Sequence, residues 1–226
     1  MSIVASASSP ADKTFVAIVL AALLISQAAA VALGFWHPDG NLVPYIEAHR
    51  DSWWAWHTYS GMAFVVSAGA YTAIMWWLVP DRGRVLAVAG GLLTSCAVAS
   101  FGAGLVAEAS THWYAGSPTL SGPESHDLLT YIDDSSGHLV GPILVGLGLG
   151  VAGPIISGIG LGLSRTLAWW AIALFVVGSV AGTVFGPASI LSLVAYAFFG
   201  WRVRTAASHA GRPEAPLETV SAISSH

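Results

Sequence analysis

Charge is what this 226-residue chain has least of: 9% of its residues are Asp, Glu, Lys or Arg, while 55% are hydrophobic. A soluble domain carries about 25% charged residues. That scarcity, with a mean hydropathy of +0.70, excludes an ordinary water-soluble fold. Cysteine is nearly absent too. Cys96 stands alone, which excludes a disulfide framework and a cysteine-based metal site. The only lysine, Lys13, precedes the first apolar run, so no span can carry a retinal Schiff base. There is no Gly-rich phosphate loop with Lys, no GxGxxG followed by an acid and no GxSxG elbow. Eight basic residues against twelve acidic ones, with no basic patch, exclude nucleic acid as a partner.

What is present is hydrocarbon-compatible sequence in repeated runs of about 20 residues, the length that crosses a bilayer as a helix. The runs are continuous rather than alternating, so a membrane β-barrel does not fit. The expected fold is an all-α integral membrane protein with six transmembrane helices. Residues 1–13 form a cytoplasmic segment. Residues 14–204 hold spans at about 14–36, 53–79, 85–107, 137–163, 167–185 and 188–201. Residues 205–226 form a disordered cytoplasmic tail. The stretch from Lys13 to Ala30 also resembles a cleavable secretory signal. The run continues to Trp36, however, long enough to span, and a retained helix is expected. Many of the ten Trp residues stand at run ends, as interfacial anchors do. Gly-rich span four contains Pro142 and Pro154, which predict kinks. Gly146/Gly150, Gly158/Gly162 and Gly178/Gly182 have the spacing of close helix contacts.

Basic residues set the orientation. Lys13, Arg82, Arg84, Arg165, Arg202, Arg204 and Arg212 fall on the side of the termini, and only Arg50 falls opposite. The positive-inside rule places both termini in the cytoplasm of a bacterial cell. The opposite face collects eight of the twelve acids and six of the eight histidines, in large part through residues 106–138. There Ser121-Gly122-Pro123-Glu124 has capping-box spacing and predicts a short extracytoplasmic helix over 122–132. No Asp, Glu, Lys or Arg lies in the interior of any span, which argues against a proton pump or ion-coupled transporter.

Three function classes remain. In the first, the outer rim holds a ligand. His57 and His138 each open a span, where the positive helix end favours neutral imidazole, the form that ligates a metal or a haem iron. Glu108 and His112, four apart, offer a carboxylate and an imidazole on one helix face, and His126 lies nearby. Together these five residues could hold haem b or a divalent transition metal, acting on a lipid-soluble substrate. Each has a plainer alternative. A lone interfacial His bonds a neighbouring carbonyl, Glu108 and His112 form an ion pair, and Asp133 and Asp134 complement a helix N-terminus. By the same plain reading, His37 and His49 are solvated, Trp113 and Tyr114 are interfacial anchors, Gln27 and Tyr71 are interhelical hydrogen-bonders, and Cys96 is inert packing. In the second class, small-residue faces dock another membrane protein or a second copy of the chain. In the third, the protein is a small-solute facilitator built from Ser, Thr, Gln and backbone groups, with a polar path past Gln27, Ser67, Thr94 and Ser157.

From span four onward, the Gly-rich helix, GLGLSRTLAWW, the Gly-broken pair of spans and FFGWRVRTA resemble six-helix actinobacterial membrane proteins of unknown function. The resemblance covers about the last third of the chain. It implies a topology, and no activity or site residue comes with it.

Overall fold

In a computed structural model the chain is described over residues 10–36, 42–79, 82–135 and 137–210, without the side chains of 10–13, 42, 138, 139, 184 and 203–210. The regular structure of these residues is helical. The helices are α1 (Pro10–Trp36), α2 (Leu42–Leu78), α3 (Arg84–Ala115), α4 (Gly122–Asp134), α5 (Gly137–Ser164), α6 (Trp169–Val184) and α7 (Ser189–Ala210). A 3-10 turn, Gly186–Ala188, separates α6 from α7, where Gly186-Pro187 predicts a break. Thr14–Trp36, Val43–Leu78, Arg84–Ala115 and Val140–Ser164 are long and apolar enough to cross a membrane, and α6 is a shorter apolar helix.

Six helices close into a ring. Each of α1, α2, α3, α5, α6 and α7 packs on the next, and α7 returns to α1. The short helix α4 sits at one end of the ring against α2 and α3. At the other end lie the α2–α3 turn and Arg84, whose guanidinium stands 3.6 Å over the Trp76 ring.

Backbones in the ring approach closely because glycine lets them. Cβ atoms added at Gly61 and Gly102 would lie 2.6 and 2.5 Å from the other glycine's carbonyl oxygen, so α2 and α3 cross on this pair. On α5, Gly146, Gly153 and Gly160 recur every seventh residue and face α3. A Cβ at Gly153 would lie 2.7 Å from Thr94 N and 2.8 Å from Gly90 O. The seam is laced by hydroxyls, Ser157 Oγ donating to Ala87 O (3.1 Å) and Thr94 Oγ1 to Gly90 O (2.9 Å). The glycine pairs read from sequence are redistributed accordingly. Gly178 and Gly182 do meet α7, at Ser192 and Ser189. Gly150 and Gly158 face α6, and nothing stands within 4 Å of a Cβ at Gly162. Gly153→Val would push branched carbon into backbone. Overpacking of this kind costs about 1–3 kcal/mol or more, so a clearly lowered thermal midpoint in detergent is expected, while Gly162→Val should leave the midpoint near wild type.

Several boundaries differ from the sequence reading, each for a packing reason. α2 begins at Leu42 rather than near Trp53 and bends at His49 (φ −130°, ψ 28°). Its first turns bury Val43 and Ile46 against Leu129 and Ile132 of α4. α3 runs past residue 107 to Ala115 because Ala109, His112 and Ala115 continue a buried face. α7 continues through 205–210, a stretch without Gly or Pro. The rest of the expected disordered tail, 211–226, lies outside the described residues, as does His37. Cys96 is exposed on the ring's surface and not packed inside it as expected.

Candidate functional site

Two places collect polar chemistry: the rim under α4 and a cavity inside the ring.

The rim is organised by Trp53, which is fully buried and therefore not the interfacial anchor that its place at a run end suggests. Its ring stacks on His57 with centroids 4.0 Å apart. Trp36, Tyr45 and His112 surround it at 6.0, 6.2 and 5.9 Å. Leu129 and Ile132 of α4 close over it. Three histidines here use one device: Nδ1 donates to the carbonyl four residues back. The bonds are His49 to Tyr45 O (3.1 Å), His57 to Trp53 O (3.0 Å) and His112 to Glu108 O (2.7 Å). A carbonyl can only accept, so each bond puts the proton on Nδ1 and, in a neutral ring, the lone pair on Nε2.

The residues expected to bind a metal are only partly brought together. His57 and His112 flank Trp53. Asp133 of α4 comes close enough to Glu108 and His112 to act on both electrostatically. His126 instead pairs with Glu47 across α4 and α2, Nδ1 to Oε1 at 3.2 Å. His138 lies in the first turn of α5, and its side chain is outside the described residues. Among the described residues, no three His, Cys, Asp or Glu side chains converge as a metal site. Trp113 is also more than an anchor. It lies under the Arg50 guanidinium at 3.9 Å, its carbonyl accepts from Arg50 Nε (2.7 Å), and its indole donates to Asp51 Oδ1 (3.0 Å).

α4 carries the capping box that its sequence predicts. The Ser121 amide donates to Glu124 Oε2 (3.0 Å), and the Glu124 amide donates to Ser121 Oγ (3.4 Å). Ser121 Oγ also donates to the same carboxylate at 2.7 Å. These bonds hold the Glu124 carboxyl below its ordinary value of 4.5. A depressed folded-state value contributes stability above the unfolded value, which is lost as pH falls through the folded one. Amides of the first turn of α4 should therefore exchange faster as pH drops below about 4.5, once the intrinsic exchange rates are corrected for. Ser121→Ala should weaken that pH dependence, leaving the part due to the Ser121 amide.

The second place is a cavity of about 110 Å³ to which all six ring helices contribute. Its polar lining is neutral: Gln27 from α1, Tyr71 from α2, Thr94 from α3, Ser179 and Thr183 from α6, and Ser189 from α7. Gln27 Nε2 donates to Tyr71 Oη at 2.8 Å, and Ser26 Oγ lies 3.0 Å from the same oxygen. Gln27 and Tyr71, each expected to bond between helices, do so with one another, and both line the cavity. Of the four residues expected to mark a polar path, Gln27 and Thr94 line the cavity. Ser67 turns back to Phe64 O (3.0 Å), and Ser157 serves the α3–α5 seam. Ser179, Thr183 and Ser189 were legible only as small polar residues within apolar runs; what assembles them is ring closure between α6 and α7. A cavity of this size has room for about three or four waters at about 30 Å³ each, and its polar groups give them partners. No protein-family model matches the chain, and no curated protein or solved structure is similar to it.

Proposed function

We propose that the protein is a membrane facilitator for small uncharged solutes, with the cavity inside the ring as its binding point. In this reading all six ring helices cross the bilayer. Both termini and the arginine-bearing turns are cytoplasmic, and α4 is a lid on the extracytoplasmic side. α6, at 16 residues, spans about 24 Å at 1.5 Å per residue, so the bilayer thins locally beside it. The observation that carries the reading is the neutral polar lining drawn from five of the six ring helices, with the glycine backbone of α5 completing the wall. Six polar side chains around one space of solute size fit a passenger that hydrogen-bonds. Among the described residues none that lines the cavity is charged, which disfavours ions. Reconstituted into vesicles, the protein should accelerate osmotic swelling with urea or glycerol above protein-free vesicles and leave sodium gluconate excluded. Swelling rates equal to those of protein-free vesicles would end this reading.

A ligand on the rim is the second reading, favoured by the buried His57 ring whose Nδ1 is held by the Trp53 carbonyl, the usual way a ligating imidazole is oriented. Haem or a transition metal on His57 and His138 would give a Soret band or a stoichiometric metal content lost in His57→Ala and His138→Ala. Colourless, metal-free protein would dispose of it.

A further inference from the structure

Gly150 and Pro154, both on α5, line the cavity together with Thr183 of α6. Pro154 lies inside the helix. Proline has no N–H, so the bond that residue 154 would donate to the carbonyl of residue 150 is missing. Gly150 has no side chain, so its part of the cavity wall is backbone. Its carbonyl has one near neighbour in Thr183 Oγ1, at 3.5 Å. That hydroxyl also donates to Ser179 O at 2.7 Å. One O–H carries one proton, and the shorter contact takes it. The Gly150 carbonyl oxygen therefore keeps a lone pair for a further donor, in a residue that lines the cavity.

From this we infer that the carbonyl of Gly150, released by Pro154, is the specificity-determining acceptor for the solute. The inference rests on the facilitator reading and deepens it: the passenger must be an uncharged molecule that donates an N–H or O–H. Urea has this character, with donors on a four-heavy-atom frame that suits about 110 Å³. Dimethyl sulfoxide has the same number of heavy atoms and only acceptors, and gains nothing from this carbonyl. Gln27, Tyr71 and Thr94 of α1, α2 and α3 serve the solute's other atoms.

The test turns on a sign. Pro154→Ala removes ring atoms from a buried residue of the lining, so a purely steric cavity would pass urea faster. If the carbonyl is the acceptor, the N–H that the substitution restores captures it within the helix, and urea passes more slowly. In stopped-flow swelling of vesicles bearing the full chain, Pro154→Ala should lower the protein-dependent urea rate about tenfold, the scale of one hydrogen bond. The dimethyl sulfoxide rate should stay unchanged. Pro154→Gly restores the same N–H and should act alike, which covers the case of a poorly folded alanine variant. Pro142→Ala, on the same helix but outside the cavity lining, should pass urea at the wild-type rate. A urea rate that rises or holds in folded Pro154→Ala or Pro154→Gly protein, while the wild type conducts, overturns the acceptor role alone. A wild type that conducts no urea overturns the facilitator reading and this inference with it.

Discussion

Trp53→Ala should lower stability by about 3–5 kcal/mol, the range for removing a large buried aromatic side chain, and should free α4 from the ring. Trp53 is fully buried, and its ring is the one that His57, Trp36, Tyr45 and His112 all face. The apolar residues of α4 that dock, Leu129 and Ile132, belong to its cluster. The other ties of α4 are slight. Ser125 Oγ donates to Ala115 O at 3.0 Å, and the His126–Glu47 pair is exposed at both ends, where such pairs contribute about 0–1 kcal/mol. Without the indole, only the smaller side chains of Val43, Ile46 and Ala115 would remain to pack on the helix. Trp169→Ala is the matched control, because Trp169 is 80% exposed. Thermal unfolding in detergent, with hydrogen exchange across α4, reads both effects. Equal midpoints for the two variants would show that the rim is not organised around Trp53.

Much of the fold was legible because a membrane makes the sequence simple. With few charges, the apolar runs and the polar turns between them mark the helices almost directly. The Ser121–Glu124 capping box and the Gly186-Pro187 break each have a local mechanism, and each stands where expected. Boundaries were less legible where tertiary packing decides. Within residues 37–52 Pro44 predicts a short helix through Glu47, His49 and Arg50. That helix is joined to span two across a bend at His49, with Val43 and Ile46 packed against α4. Cys96 was misread because an apolar run shows that a residue avoids water; it does not show whether the residue faces lipid or another helix. The same limit governs the site. Histidines and acids draw the eye in sequence, and the rim was legible from them. The cavity was not, because Ser179, Thr183 and Ser189 resemble any small residues of a membrane helix until α6 and α7 return to α1 and close the ring.

Closure around a conducting space is the central claim, and Thr94 gives direct access to it. Thr94 lines the cavity, whereas Cys96, two residues on, is exposed on the ring's surface. In a Cys96→Ser background, Thr94→Cys places a single thiol inside the ring. Benzyl methanethiosulfonate would add a benzyl group there. An apolar cavity of about 150 Å³ binds one benzene, so a benzylthio group would largely fill about 110 Å³. The expected result is a urea swelling rate that falls to that of protein-free vesicles on labelling and returns on treatment with dithiothreitol. The wild type, labelled at Cys96 on its surface, should lose nothing. Complete labelling of the introduced thiol with an unchanged urea rate would contradict the account, because solute would then be crossing by some route other than the centre of the ring.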